Sequence, residues 1–169
     1  MAGPGSHDRL QPSLLDRLTD DAPEDKRESL DQQTLTMQRL RQAVLRDLAW
    51  LLNTTNLATT GDLTKTPLAA RTTVNYGIDG ITGLVKYGGK SGTLENMIAE
   101  SIRAFEPRIK PDTIKVKARE ASEDQAVPAL MFEIAGELWA QPVPQQLFLE
   151  TSIELETRLA VVTDARKGG

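Results

Sequence analysis

The order of periodicities along the chain predicts an α+β fold, with two main helices packed on a small antiparallel sheet of about three strands. Two observations carry most of this. Apolar residues recur at helical spacing in 34–53 and 93–105, and they alternate one by one in 113–119, 129–137 and 147–161. A third supports it: between the helices, glycines at 61, 77, 80, 83, 88, 89 and 92 leave little room for a long element and predict tight turns. The 169 residues suit one domain with a tail. We divide them into an N-terminal tail and linker, 1–33, and a folded domain, 34–169.

Within the tail, Leu10, Leu14, Leu15 and Leu18 fall on one helical face, and Ser13 follows Pro12 as a natural cap. So short a helix is not stable alone and needs a surface to lie on. The acidic, polar stretch 19–33 reads as a tether, so the helix docks either on its own domain or on a partner. In 34–53, Met37, Leu40, Val44, Leu48, Leu51 and Leu52 form the buried stripe of the first main helix. For the second, Thr93 is the expected N-cap, Glu95 lies in the first turn, and Pro107 stops the helix after Phe105.

The strands follow. Ile114, Val116 and Ala118 alternate with Lys115, Lys117 and Arg119, and Leu130, Phe132 and Ile134 alternate with Met131, Glu133 and Ala135. In 147–161, Leu147, Leu149, Ile153, Leu155, Leu159 and Val161 are placed on one face, with Glu150, Ser152, Glu154, Glu156 and Arg158 on the other. That stretch is long for one strand, so it is bulged or protrudes as an exposed edge. Cations on the first strand facing acids on the later ones favour the pairing modestly.

Composition excludes much chemistry. A net charge of −4 gives no general footprint for nucleic acid. With no cysteine there is neither disulfide nor thiolate ligand, and the single histidine, His7, lies in the tail, so a triad or histidine-rich metal centre is not expected. Nothing predicts a cofactor. No apolar run approaches the ~20 residues that span a bilayer. The expectation is a soluble, cytoplasmic protein without direct membrane insertion. Aromatics are only 4%, so the core is expected to be aliphatic.

Glu106-Pro107-Arg108 is the most distinctive local feature: proline stiffens the backbone between an acid and a planar, fork-shaped base. It reads either as a helix stop with a local ion pair or as a rigid polar latch at an interface. Glu106 is also a conceivable general acid, although no second carboxylate stands out to complete a hydrolytic pair.

Four segments together, PSLLDRL (12–18), LRDLAWLLNT (45–54), TVNYG (73–77) and FEPRI (105–109), resemble the TssE proteins of type VI secretion systems. These belong to the phage baseplate wedge family sometimes labelled lysozyme-like. The resemblance implies a structural, non-enzymatic subunit of a contractile-tail baseplate docked at the inner membrane. Its implied partners are the wedge proteins TssF and TssG, TssK, and the sheath subunits TssB and TssC. It marks Glu106, Pro107 and Arg108 as partner contacts, and Asn75, Tyr76 and Gly77 as a structural motif. Leu14, Leu15 and Leu18 on the tethered helix, and Ser152, Glu154, Glu156 and Arg158 on the last strand, are the further expected contact residues. Two readings compete: a peptidoglycan hydrolase with Glu106 as its acid, and a regulatory adaptor that works through the tethered helix.

Overall fold

A computed structural model describes residues 13–19, 24, 36–79, 91–119, 129–139, 145–154, 157 and 159–165. The chain runs α1 (Leu14–Leu18), α2 (Met37–Asn53), a layer of short 3-10 turns, α3 (Ser91–Phe105), then β1 (Lys115–Arg119), β2 (Ala129–Leu138), β3 (Gln145–Glu154) and β4 (Ala160–Asp164). The strands form one antiparallel sheet in the order β1-β2-β3-β4.

One face of the sheet is apolar because strand side chains alternate. Phe132, Ile134 and Leu138 of β2 and Leu147, Leu149 and Ile153 of β3 all point into the core. Across from them α2 buries Leu40, Val44, Leu48, Leu51 and Leu52, and α3 buries Leu94, Ile98 and Ile102. Each such aliphatic side chain taken fully from water is worth about 1.5–3 kcal/mol, so this interior holds the fold with a single phenylalanine at its centre. Gly136 lets β2 pass under the segment after α3; a Cβ there would lie 2.8 Å from Ile109 Cγ2.

Several boundaries differ from expectation. Thr36, not a residue nearer 34, caps α2 by accepting from the Arg39 N–H. The second main helix begins at Ser91, so Thr93 is not its cap, and Glu95 instead accepts a hydrogen bond from Ala118 N at 2.7 Å. Here the pull of an edge amide outweighs the helix end that the glutamate was expected to favour. The turn layer contains 3-10 turns at Leu57–Thr59, Ala69–Arg71 and Thr73–Asn75.

The sheet has four strands rather than three, and the largest correction concerns 147–161. The chain reverses after Glu154, where Glu154 N donates to Leu159 O at 3.1 Å and Thr157 Oγ1 to Glu154 Oε2 at 2.5 Å. Period-two hydrophobicity continues through the turn, which is why the sequence reads as one strand. The reversal changes the parity of the inner face. Ser152 stands opposite Val161, so Leu159 and Val161 lie on the outer face, 56% and 55% exposed, while Ala160 is buried. Ser152 and Glu154 therefore belong to an interior strand, paired with β2 on one side, and do not form an exposed edge. Glu156 and Arg158 lie outside the described residues, as does Leu10.

The expected charge pairing is present on the outer face. Glu133 and Glu150 are direct cross-strand neighbours, a repulsive pair, and Arg119 reaches both, at 3.4 and 3.5 Å.

Candidate functional site

The four segments singled out in the sequence meet at one cavity of about 500 Å³. Ser13 and Leu15 come from α1, Asp47, Leu48, Trp50 and Leu51 from α2, Tyr76 from the turn layer, and Phe105 to Arg108 from the end of α3.

At Pro107 the chain cannot continue α3, and the backbone folds so that Glu106 and Arg108 face each other. Glu106 is only 3% exposed. Arg108 donates to it three times, from Nε (2.7 Å) and the backbone N (3.1 Å) to Oε1 and from Nη2 (2.5 Å) to Oε2. Nη2 also reaches Asp47 Oδ2 at 2.5 Å, joining the turn to α2. Burial alone would lower the Arg108 pKa; the hydrogen bonds and charges of Glu106, then of Asp47, outweigh it and raise the pKa above the ordinary value. This guanidinium is a permanent cation.

The ion pairs continue outward. Arg46 Nε donates to Asp47 Oδ1 and Nη1 to Asp16 Oδ1, both at 2.8 Å, and the Arg46 guanidinium lies 5.1 Å from the centre of the Trp50 ring. The Asp47 hydrogen bond is the main reason the Arg46 pKa is raised. Burial would raise the Asp16 pKa, but the Ser13 hydroxyl and Arg46 overcome it, so Asp16 is held below its usual carboxylate value. The result is an alternating chain, Glu106–Arg108–Asp47–Arg46–Asp16, running from the proline turn across α2 to α1.

The turn layer fixes the third wall. Asn75 is buried; its Oδ1 accepts from Ala58 N at 2.9 Å and its Nδ2 donates to Ala70 O at 3.0 Å, clamping separate turns together. Gly77 has φ +118°, and a Cβ on it would lie 2.3 Å from Thr54 O. The close approach lets Ile78 N donate to Thr54 O and Asn56 N to Ile78 O. Between them Tyr76 stacks edge-on with Phe105, ring centres 5.3 Å apart, and its hydroxyl donates to Asp47 O at 3.4 Å. Burial, then the negative charges of Asp47 and Glu106, raise the Tyr76 pKa.

Sequence reasoning singled out Glu106, Pro107, Arg108, Tyr76 and Leu15, and the structure brings them together. Asn75 and Gly77 stand just behind. Leu14 and Leu18 point away from the cavity, 72% and 76% exposed. Ser152 and Glu154 lie on the sheet and are not part of it. Asp16, Arg46, Asp47 and Trp50 were missed as site residues. Asp47 and Arg108 are 61 positions apart, and no spacing rule links them.

The two sheet edges differ. Along β1, Glu95 holds Ala118 N, and Arg103 donates to Pro111 O and Ile114 O, so side chains of α3 close that edge near both ends. On β4, Asn53 meets the start, accepting from Ala160 N at 2.8 Å and donating to Ala160 O at 2.9 Å, and Arg41 pairs with the Asp164 carboxylate at the end, Nη2 to Oδ1 at 2.6 Å. Antiparallel alternation then turns the Val162 amide and carbonyl outward as well, and among the described residues no hydrogen bond caps them.

The described residues contain no group of His, Cys, Asp and Glu arranged to hold a metal, and no helix long and apolar enough to cross a membrane. The family model for baseplate wedge protein gp25 matches residues 38–143, from α2 to beyond the end of β2. No curated protein and no solved structure matches the chain.

Proposed function

Because the chain belongs to the baseplate wedge protein gp25 family, a family of phage-tail-like structural subunits, we propose that it is the TssE-type subunit of a type VI secretion baseplate and that it binds the wedge proteins TssF and TssG. The observation that carries this reading is the convergence of the four segments on one cavity. Distant parts of the chain are cross-tied there, and the half-exposed Trp50 and the Arg108 fork share its wall. Tryptophan and arginine at a rigid, partly apolar depression are the usual anchors of a protein interface.

The corner does not favour the hydrolase reading. Both oxygens of Glu106 already accept hydrogen bonds from Arg108, and the nearby carboxylate, Asp47, lies on the far side of that same arginine. A general acid needs a proton to give and a second carboxylate across a cleft.

Sheath initiation, through TssB and TssC, is assigned to the edge of β4 rather than to Ser152 and Glu154. An edge strand with outward backbone groups accepts a strand from another chain, and Leu159 and Val161 add exposed apolar surface beside it. Contact with TssK, which would bring the baseplate to the inner membrane, completes the assembly on this reading.

Co-purification with TssF and TssG tests it. Arg108→Ala should abolish recovery of the complex, and Arg108→Lys, which keeps the charge but loses the fork, should reduce it at least tenfold while circular dichroism remains native. Undiminished binding by both folded variants would remove the corner from the interface.

A further inference from the structure

We infer that α1 is a displaceable placeholder on the corner cavity, and that the segment which replaces it is an amphipathic helix of a wedge partner. That helix would carry a larger apolar anchor than Leu15 and a hydrogen-bond acceptor for Arg46. The inference rests on the corner being the partner site.

Four observations support it. First, α1 has five residues, too few to persist as a helix without a surface beneath it. Second, it uses its apolar stripe poorly. Only Leu15 reaches the cavity, and it stays 43% exposed, while Leu14 and Leu18 face outward. Third, the Asp16–Arg46 ion pair that ties it to α2 has an arginine side chain one-third exposed and an aspartate 15% exposed, so solvent partly screens it. Fourth, the docked state is incomplete. A cavity of about 500 Å³ persists beside Leu15, and Arg46 Nη2 is buried without an acceptor among the described residues. A helix that filled the space and met that donor would outcompete α1 on its own ground.

The charge pattern says what such a helix presents. Arg46 already shares Asp16 and Asp47, so removing α1 takes away one acid and leaves the guanidinium, among the described carboxylates, with Asp47. The replacement therefore supplies a carboxylate or a helix-end carbonyl there. The apolar side chains of Leu48, Trp50, Leu51 and Phe105 receive its anchor. While α1 remains in place, it lowers the apparent affinity of the partner by the fraction of molecules it blocks.

The test uses the full chain and the purified TssF–TssG pair. Asp16→Lys repels Arg46 and is expected to tighten binding roughly two- to fivefold, the factor by which loss of such an ion pair shifts the competition. Leu15→Ser should act in the same direction. Acrylamide quenching of Trp50, in a Trp139→Phe background without partner, should rise in Asp16→Lys. Weaker binding by both α1 variants would make α1 a wall of the interface and overturn the inference; unchanged binding, or no rise in quenching, would make it a bystander and overturn it equally. Arg108→Lys separates the two readings. If it loses binding and Asp16→Lys gains none, only the placeholder fails; if it and Arg108→Ala both bind like wild type, the corner itself is not the partner site.

Discussion

At the corner, Glu106, Arg108 and Asn75 direct their hydrogen bonds into the chain and tie together elements far apart in sequence. Along β4, by contrast, Asn53 meets Ala160 and Arg41 pairs with the Asp164 carboxylate, and among the described residues no hydrogen bond caps the Val162 backbone between them. The corner presents a fixed shape made from side chains, whereas the edge presents unfinished backbone. On the proposed function, these are two modes of recognition on one small domain. The first is selective and depends on individual residues; the second depends on strand geometry and tolerates many side chains.

The contrast breaks first at Gly77. Gly77→Val puts a branched side chain on a positive-φ residue already against Thr54 O, and stability should fall by roughly 3–5 kcal/mol in urea denaturation. A near-wild-type midpoint would mean that the turn layer is not rigid. Asn75→Ala leaves Ala58 N and Ala70 O without their partner and should cost about 1–3 kcal/mol. Amide exchange should quicken in the turn layer before it does in α2.

Val162→Pro sharpens the other side of the comparison. Its N–H points away from β3, so proline should lower stability by only about 1 kcal/mol. Sheath nucleation, followed by electron microscopy of assembled TssB–TssC tubes, should nonetheless be lost. Normal tubes seeded by a folded Val162→Pro chain would take the edge out of the assembly.

Much of this was legible in the sequence because periodicity records burial. The stripes of α2 and α3 and the alternation of β2 appear where Leu48, Ile98 and Ile134 demand them. The Ser13 cap was legible too, since a cap needs only its neighbours. Hidden were features set by distance. The hairpin between β3 and β4 escaped because Leu155 and Leu159 keep the alternation going through the turn. Glu95 looked like a helix-end acid because its true partner, Ala118 N, is 23 positions on. The corner was legible as a motif and not as a network: Glu106 and Arg108 stand two apart and advertise a pair, while Asp47, the residue that joins them to α2, looks like any polar position on a helix.

The unequal finishing of the sheet has a consequence for growth. Among the described residues, Glu95 and Arg103 meet β1 near both ends, and on β4 no hydrogen bond caps the Val162 backbone between Asn53 and the Arg41–Asp164 pair. A unit with two sticky sides would stack on copies of itself into a fibre. If β4 receives a strand as proposed, the α3 side chains along β1 disfavour, though they do not fully close, the other flank to a second copy. On that proposal, the subunit starts a polymer of another chain and sets its direction without becoming a repeat within it.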